Sequence, residues 1–227
     1  MDKLVEYLCI VQARVNSTRL PAKVMLDLGG KTLIERVVET VSRSKKINEI
    51  IIATSKESTD DIIKEKFKDS KIYVYRGSLD NVLERFYSAS RKFKAKNIVR
   101  ITADNPFMEA SLIDKLIEVF ETNDCDYSMF TNAVYGLSAE IFSYNALKEA
   151  YEFARNDFDK EHVTPYIKDN SKVYTEDIEE KYRKPDIRAT IDTLNDYIKI
   201  QKFYFYCLSL EKEANIDNYL KYMDEIK

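Results

Sequence analysis

Three cationic side chains follow a run of apolar residues near the start of the chain. Residues 8–12 read LCIVQ, which suits a buried β-strand, and residues 13–23 contain Arg14, Arg19 and Lys23. Arginine presents a planar fork of N–H donors and lysine a mobile point charge, so together they can neutralise several phosphate oxygens. A solvated basic loop is the alternative, because most charged side chains simply face water. The position directly after a core strand favours a polyphosphate site.

Polar side chains also follow the later strands that the sequence predicts. In a parallel α/β sheet, ligands bind beyond the carboxyl ends of the strands, so these side chains should meet at one edge. They are Thr54 and Ser55 after the second strand, Arg76, Ser78 and Asp80 after the third, and Asp104 and Asn105 after the fourth. Cations, small hydroxyls and a carboxylate together have the composition of a site for a metal-bound nucleotide.

Two aspartates are candidates for binding a magnesium ion. Mg²⁺ commonly takes one or two carboxylates together with substrate phosphates and water. Asp104 and Asp192 each follow a predicted strand, so this pair would suffice and Mg²⁺ is the expected cofactor. Taken singly, Asp104 also suits a turn and Asp192 the N-cap of the last helical segment. Their recurrence at strand ends beside the cationic loop favours the metal.

The apolar pattern predicts an α/β fold that would bring these side chains together. After the first strand, strands are predicted at 49–54, 71–75 and 97–102, alternating with helices at 31–44, 58–67, 79–93 and 111–122. Such alternation with short connections is typical of a mostly parallel sheet with helices on both faces.

The regular alternation ends near residue 131. Strands are then predicted at 139–143, 172–177 and 187–191, and helices at 144–155, 159–169 and through the tail 194–227. We interpret 133–185 as a smaller insertion that covers one end of the sheet on the acceptor side, within a single domain 1–227. The tail is rich in Tyr and Phe, which pack in a core or at a subunit contact, so a homodimer is among the expected partner states.

The composition restricts the partners and the compartment. The 227 residues carry a net charge of −3, which argues against a broad nucleic-acid surface, and they contain no run of apolar residues long enough to span a membrane. We therefore expect neither nucleic acid nor a membrane as a partner. The start MDKLVEY lacks an apolar signal core, and Cys9, Cys125 and Cys207 show no CxxC spacing. Both features predict a reduced, cytoplasmic protein.

Two scarce residue types limit the chemistry further. His162 is the one histidine, which makes a His-rich zinc site impossible and leaves a Ser-His-Asp triad unsupported. The four glycines, Gly29, Gly30, Gly77 and Gly136, build neither GxGxxG nor GxxxxGKS. A nucleotide would therefore be held by side-chain cations more than by a glycine-rich loop.

Several segments resemble the sugar-acid cytidylyltransferases of the acylneuraminate and 3-deoxy-octulosonate type. The resemblance begins with IVQARVNSTRLPAKVMLDLGGKTLIERVVETV at 10–41 and is greatest to the branch of spore-coat polysaccharide biosynthesis proteins. It continues through IIATS at 51–55, YRGSLDNVLERF at 75–86, VRITADNPF at 99–107, EHVTPYI at 161–167 and RATIDTLND at 188–196. The segments occur in the expected order and cover nearly the whole chain.

The resemblance implies a Rossmann-like nucleotidyltransferase fold of the GT-A-like kind, a three-layer sandwich. It also implies Mg²⁺-dependent transfer of CMP from CTP to a small anionic acceptor, a sugar acid, with release of pyrophosphate, in surface polysaccharide or glycoconjugate biosynthesis. Arg14, Lys23 and Asp104 are the expected catalytic residues, and Asp104 and Asp192 the metal ligands. The expected nucleotide-binding residues are Ala13, Arg14, Ser17, Thr18, Arg19, Lys23, Ala53, Thr54, Ser55, Arg76 and Asp80.

The acceptor side is where the chain departs most from that family. Glu140, Lys160 and His162 are the expected acceptor-binding residues, although His162 also suits a surface helix. The branch commonly has an acid where this chain has Ser138, and often a glycine where it has Ala22, which would be strained if its φ is positive. Three alternatives stay open: a small phosphorylated acceptor, a GT-A-like glycosyltransferase, and a non-catalytic nucleotide-binding module.

Overall fold

A seven-stranded sheet runs through the computed structural model, which describes residues 4–225. Its strands are β1 (Val5–Gln12), β2 (Glu49–Ser55), β3 (Tyr73–Gly77), β4 (Ala95–Thr102), β5 (Tyr127–Thr131), β6 (Glu140–Ser143) and β7 (Val173–Asp177). The order across the sheet is β3-β2-β1-β4-β6-β5-β7. The first four strands are parallel, β6 is antiparallel to both β4 and β5, and β7 is parallel to β5. The predicted mostly parallel α/β sheet is confirmed.

Helices cover both faces of this sheet. They are α1 (Leu33–Val41), α2 (Asp61–Lys66), α3 (Val82–Lys92), α4 (Ala110–Thr122), α5 (Tyr144–Phe153), α6 (Asp157–His162), α7 (Pro165–Asn170), α8 (Leu194–Ser209) and α9 (Ile216–Glu225). Helices α1, α4, α8 and α9 share one apolar core, and α3, α5 and α7 share the other. The result is the three-layer sandwich that the sequence resemblance implies.

Strand β1 lies at the centre because its side chains are apolar on both faces. Cys9 and Val11 enter one core and Leu8 and Ile10 the other, and all four are fully buried. At the carboxyl end of the strand, Gln12 is level with Ala53 of β2 and with Thr102 of β4. The three strands thus end together, and the segments that follow them meet at one edge of the sheet.

The predicted strand at 187–191 is wrong. This segment makes one isolated bridge, between Arg188 and Tyr135, and no ladder. Ala189 and Ile191 are buried and Ile187 is partly buried, but the backbone of the segment pairs with two different loops. The N–H of Ala189 donates to the carbonyl of Tyr135, at 2.8 Å, and that of Ile191 donates to the carbonyl of Asp104, at 2.9 Å.

Three helix predictions also need correction. The helix predicted at 111–122 begins one residue earlier, at Ala110, and its N-cap is Glu109. The helix predicted at 159–169 is divided into α6 and α7 by Val163, which has φ 70° and lies in a turn closed by the Thr164 N–H donating to the His162 carbonyl. The helical tail is divided into α8 and α9, and residues 226 and 227 lie outside the described part.

Residues 133–185 contribute to the sheet as well as to one of its faces. Strand β6 lies between β4 and β5 and is hydrogen-bonded to both, while α5 and α7 pack on the core that contains α3. Their description as an insertion within one domain stays a prediction.

The aromatic tail is largely a core element. The rings of Phe203, Tyr204 and Tyr219 pack around Phe107, with centroid distances of 5.5, 5.9 and 4.6 Å. The expected homodimer stays a prediction. In the described part of the chain, no helix combines the length and the apolar character that crossing a membrane requires. The three cysteines are free and buried.

Candidate active site

Lys23 lies between the two aspartates that the sequence proposes as metal ligands. Its Nζ donates to Asp104 Oδ2 at 2.7 Å and to Asp192 Oδ1 at 3.0 Å. The ammonium group is almost enclosed, since only 11% of the side chain is exposed. Residues 23, 104 and 192 are far apart in the chain, so the fold, and not local sequence, forms this cluster.

Two arginines complete the surroundings of Asp192. Arg19 donates to its Oδ1 at 2.9 Å, and Arg188 donates to its Oδ2 at 3.0 Å. The guanidinium of Arg188 also lies 4.6 Å from the ring centroid of Tyr135. Sequence reasoning missed Arg188, although its position four residues before Asp192 was visible in RATID. The N-cap role considered for Asp192 belongs to Thr193, which forms a capping box with Asp196.

The cationic loop is closed by hydrogen bonds to Val15. The carbonyl of Val15 accepts from the N–H groups of Ser17 and Ala22, both at 2.9 Å, and its N–H donates to Asp60 Oδ1 at 2.7 Å. Ala22 adopts a left-handed backbone with φ 57°, and a 3-10 helix, Lys23–Met25, starts directly after it. This turn aims Lys23 at the two aspartates, at a position where alanine is strained.

A cavity of about 200 Å³ lies under this loop. Most of the predicted nucleotide-binding residues and both predicted metal ligands line it. Its lining consists of Gln12, Ala13, Arg14, Ser17, Thr18, Arg19, Lys23, Val24, Thr102, Ala103, Asp104 and Asp192. Arg14 is half-exposed, with its guanidinium 3.7 Å from Glu161. We call this space the cation cavity.

A larger cavity of about 550 Å³ adjoins it. The two cavities share Arg19, Thr102, Asp104 and Asp192, so the Lys23 cluster lies where they meet. The remaining walls are uncharged and come from Asn105, residues 129–136, Ser138 and Thr190. We call this space the neutral cavity, because all its charged lining residues lie at the shared rim.

Thr54 and Ser55 do not face either cavity. Both are fully buried, and Asp60 Oδ2 accepts from the Thr54 hydroxyl at 2.8 Å, the Ser55 N–H at 3.0 Å and the Ser55 hydroxyl at 2.5 Å. Burial raises the pKa of the Asp60 carboxyl, but these hydrogen bonds and that from Val15 outweigh it and hold the pKa below its usual range. Ala53, also buried, accepts the Ala13 N–H at its carbonyl. No pattern in the sequence distinguished Asp60 from its neighbours.

Arg76 and Asp80 lie apart from the Lys23 cluster. The guanidinium of Arg76 donates to the carbonyls of Ser55, at 2.9 Å, and Glu57, at 2.8 Å, and pairs with Asp61. Asp80 is exposed on the loop between β3 and α3. Neither residue lines the cation cavity or the neutral cavity.

A buried arginine beneath this region was not anticipated. Arg85 is fully buried and donates to the carbonyl of Ser78 at 2.9 Å. Burial lowers the pKa of its guanidinium to about 10. Gly77 leaves the space that this side chain occupies, because a Cβ there would lie 2.7 Å from Arg85 Cγ.

Glu140 is an internal ion-pair partner in this structure. Its carboxylate accepts from the hydroxyls of Tyr127, at 2.6 Å, and Thr164, at 2.9 Å, and pairs with Arg100 and with Lys168, the latter at 2.8 Å. Burial raises the pKa of Glu140, but the positive charges and these donors outweigh it and lower the pKa to about 2. Its oxygens are therefore used before any acceptor arrives.

Lys160 and His162 lie on α6 and line neither cavity. Lys160 is 3.6 Å from Asp157, and the exposed ring of His162 rests against Phe158. The structure thus does not bring the three predicted acceptor residues to the cluster. Ser138 does line the neutral cavity, where its hydroxyl donates to the Phe130 carbonyl at 3.0 Å.

The aspartate pair has the chemistry that magnesium prefers. Both residues offer carboxylate oxygens, and one ammonium group reaches both, so a single cation can lie between them. Among residues 4–225, no group of three or more His, Cys, Asp or Glu side chains could hold a metal. Mg²⁺ commonly takes one or two carboxylates from a protein, so the pair fits the predicted ion, whose binding stays a prediction.

Comparison with known proteins agrees with this architecture. The Spore coat polysaccharide biosynthesis protein SpsF of Bacillus subtilis is 36% identical over 207 residues, which cover 88% of this chain and 86% of that protein. The 3-deoxy-manno-octulosonate cytidylyltransferase of Bdellovibrio bacteriovorus is 30% identical over 139 residues, 61% of this chain and 55% of that one. A solved cytidylyltransferase from Leptospira borgpetersenii has a TM-score of 0.87 and 27% identity, covering 97% of this chain and 95% of that chain.

A family model described as Cytidylyltransferase matches residues 8–223. The match extends from β1 into α9 and includes the cationic loop, both aspartates and the walls of both cavities. The resemblance found in the sequence is thereby confirmed, and the chain belongs to the cytidylyltransferase family.

Proposed function

We propose that this protein is an Mg²⁺-dependent enzyme that transfers CMP from CTP to a sugar acid and releases pyrophosphate. The observation that carries the proposal is the Lys23 cluster at the junction of a cationic and an uncharged cavity. One cavity suits a triphosphate and the other suits the body of a polyhydroxylated acceptor. Their junction is where the two reacting groups would meet.

The chain's own residues would act mainly by positioning and by charge. Arg14, Arg19 and Lys23 hold the phosphates, so that an acceptor oxygen in the neutral cavity can attack the α-phosphorus in line. The attacking hydroxyl releases its proton to solvent as its oxygen bonds to the α-phosphorus. The bond from the α-phosphorus to the oxygen that bridges it to the β-phosphorus breaks, and pyrophosphate leaves with that electron pair towards the three cations. When bound by Asp104 and Asp192, Mg²⁺ would offset charge on the attacked phosphate.

The acceptor is expected to carry its negative charge beside the attacking oxygen. The neutral cavity has cations only at its rim, where Arg19 lies and where Arg188 bonds Asp192. Its walls offer hydroxyl, amide and aromatic groups, which suit a neutral polyhydroxylated body. A sugar acid whose carboxylate adjoins the reacting hydroxyl meets this description. A small phosphorylated acceptor meets it too and is the second candidate.

The wider role follows by analogy with the relatives. SpsF is described as a spore coat polysaccharide biosynthesis protein, and we extend surface polysaccharide or glycoconjugate biosynthesis to this chain as part of the proposal. The use of CTP and three free thiols favours the cytoplasm. A homodimer is retained as the proposed assembly.

A screen for pyrophosphate release tests the proposal. CTP, ATP, GTP and UTP are each offered with 3-deoxy-octulosonate, several nonulosonates, glycerol phosphate and phosphorylated sugars. Turnover is expected with CTP and a sugar acid, and Asp104→Asn should abolish it while the exposed-site control Asp69→Asn should not. Turnover with phosphorylated acceptors and with no sugar acid would show that the acceptor is a phosphorylated compound, and the proposed transfer of CMP from CTP would stand.

Other results would favour the remaining alternatives. Cleavage of a nucleotide sugar without pyrophosphate release would indicate a glycosyltransferase. CTP binding without turnover for any acceptor would indicate a binding module. At a CTP concentration of 100 times Kd, binding should stabilise the fold by about 2.7 kcal/mol, and the absence of a CTP-specific shift in melting temperature would contradict the nucleotide assignment.

A further inference from the structure

Lys23 already occupies the position between the two carboxylates that a divalent ion would need. Its Nζ lies 2.7 Å from Asp104 Oδ2 and 3.0 Å from Asp192 Oδ1, and the side chain is 11% exposed. A divalent ion bound between these two oxygens would occupy the place of the Lys23 ammonium. The ion and the ammonium therefore exclude each other, because two positive charges at this distance repel strongly.

The surrounding charges are balanced without a metal. Asp192 binds Arg19 and Arg188 in addition to Lys23, and Arg188 lies 3.6 Å from Asp196. Three cations thus face the three carboxylates of Asp104, Asp192 and Asp196. An additional divalent ion would bring excess positive charge, so a metal ion without nucleotide should bind only weakly here. A triphosphate brings several negative charges and reverses that balance.

Lys23 can follow the phosphates because it lines the cation cavity as well. A lysine side chain has four rotatable bonds, so its ammonium can move between the carboxylates and a nearby phosphate while the backbone stays fixed. The backbone at this position is set by the turn at Ala22 and the short 3-10 helix after it.

We propose that Lys23 is the resident cation of the aspartate pair, and that the nucleotide phosphates must draw it away before the pair can take a divalent ion. CTP therefore binds first and the metal second. This inference rests on the proposed function, since it assigns the order in which that site is assembled. It gives Lys23 two successive partners, the carboxylates before substrate binding and the phosphates afterwards.

The test measures Mn²⁺ binding to the nucleotide-free protein by electron paramagnetic resonance of the unbound ion. Mn²⁺ is used because it accepts the same oxygen ligands as Mg²⁺ and is directly visible. We expect saturable Mn²⁺ binding to Lys23→Met and none to wild type over the same concentration range, because the variant exposes two carboxylates that have lost their shared partner. The double variant Lys23→Met/Asp104→Asn should lose this binding.

A matched lysine provides the control. Lys31→Met removes an exposed ammonium that pairs with Glu39 and should leave Mn²⁺ binding at the wild-type level. The inference is overturned if wild type binds Mn²⁺ alone as tightly as Lys23→Met, or if neither protein binds it. These outcomes need no catalysis, so they do not depend on the acceptor or on turnover.

A second measurement uses wild-type protein only and applies even if Lys23→Met does not fold. Titration calorimetry with CTP in the presence of EDTA should show saturable binding, whereas Mn²⁺ alone should show none. Saturable binding of Mn²⁺ alone, or CTP binding that requires the metal, overturns the proposed order. Absence of CTP binding under every condition would instead overturn the proposed function, while the Mn²⁺ comparison between the variants would still decide the role of Lys23.

Discussion

Replacing Asp60 by asparagine should destabilise the protein strongly, because this buried carboxylate accepts four hydrogen bonds. Its Oδ1 accepts from the Val15 N–H, and its Oδ2 accepts from the N–H and hydroxyl of Ser55 and from the hydroxyl of Thr54. In asparagine one of these oxygens becomes an NH₂ group, which faces a donor. An orphaned buried donor costs about 1–3 kcal/mol, and the remaining bonds lose their charge assistance. We expect a total loss of about 3–4 kcal/mol at neutral pH.

Urea denaturation of wild type, Asp60→Asn and the exposed-site control Asp69→Asn measures this loss. The control should stay within about 0.5 kcal/mol of wild type. The folded pKa of Asp60 is lowered, so its stabilisation is complete above the unfolded value and is lost as the pH falls through the folded value. The difference between wild type and variant should therefore shrink in acid. A loss below about 1 kcal/mol at neutral pH, with an unchanged m-value, would refute the reasoning.

Four further outcomes are expected. The pKa of Glu140 is lowered from 4.5 to about 2, so its ionised form stabilises the wild-type fold by about 3 kcal/mol above pH 4.5. Glu140→Gln should remove this stabilisation. Urea titrations should show that wild type itself loses it as the pH falls from 4.5 to 2. Ala22→Gly should raise the free energy of unfolding by about 0.5 kcal/mol, because relief of the left-handed strain exceeds the entropy that glycine adds to the unfolded chain; a loss would contradict the strain. Gly77→Ala should lower the free energy of unfolding by about 1–3 kcal/mol, because the added methyl group displaces Arg85. An unchanged melting temperature would show that Arg85 can move aside without loss of stability. Asp104→Asn should lower kcat at least about 100-fold with little change in the melting temperature, and near wild-type turnover across a Mg²⁺ titration would contradict the metal assignment.

The parallel half of the sheet was predictable because its signal is local. Strands β1, β2 and β4 are apolar runs of the length of a strand, and each ends in polar residues, as a buried parallel strand does. The segment 187–191 shows the limit of that signal. Its apolar side chains pack on the core as in a strand, but its backbone partners are two loops. An apolar run predicts burial and does not predict which backbone lies beside it.

The candidate site was predictable where charge follows a central strand. Lys23, Asp104 and Asp192 meet because β1 and β4 end together and the last segment returns to the same edge. The surroundings of Thr54 and Glu140 were less predictable, since each side chain is hydrogen-bonded to buried partners that no sequence pattern points to. The partner of Thr54 is Asp60, and those of Glu140 come from three separate elements.

The antiparallel strand β6 divides the molecule into parts that can change separately during evolution. The half of the sheet formed by β3, β2, β1 and β4 carries the cationic loop, whereas residues 129–138, which form much of the neutral cavity, belong to β5 and to the connection between β5 and β6. This second half joins the first through the pairing of β6 with β4, from Asn97 opposite Ser143 to Arg100 opposite Glu140. Substitutions, insertions or deletions in the β5–β6 connection can therefore reshape the neutral cavity while the strands that carry the cationic loop stay in place. Under the proposed function, exchange of this one short connection would be enough to change which acceptor is bound.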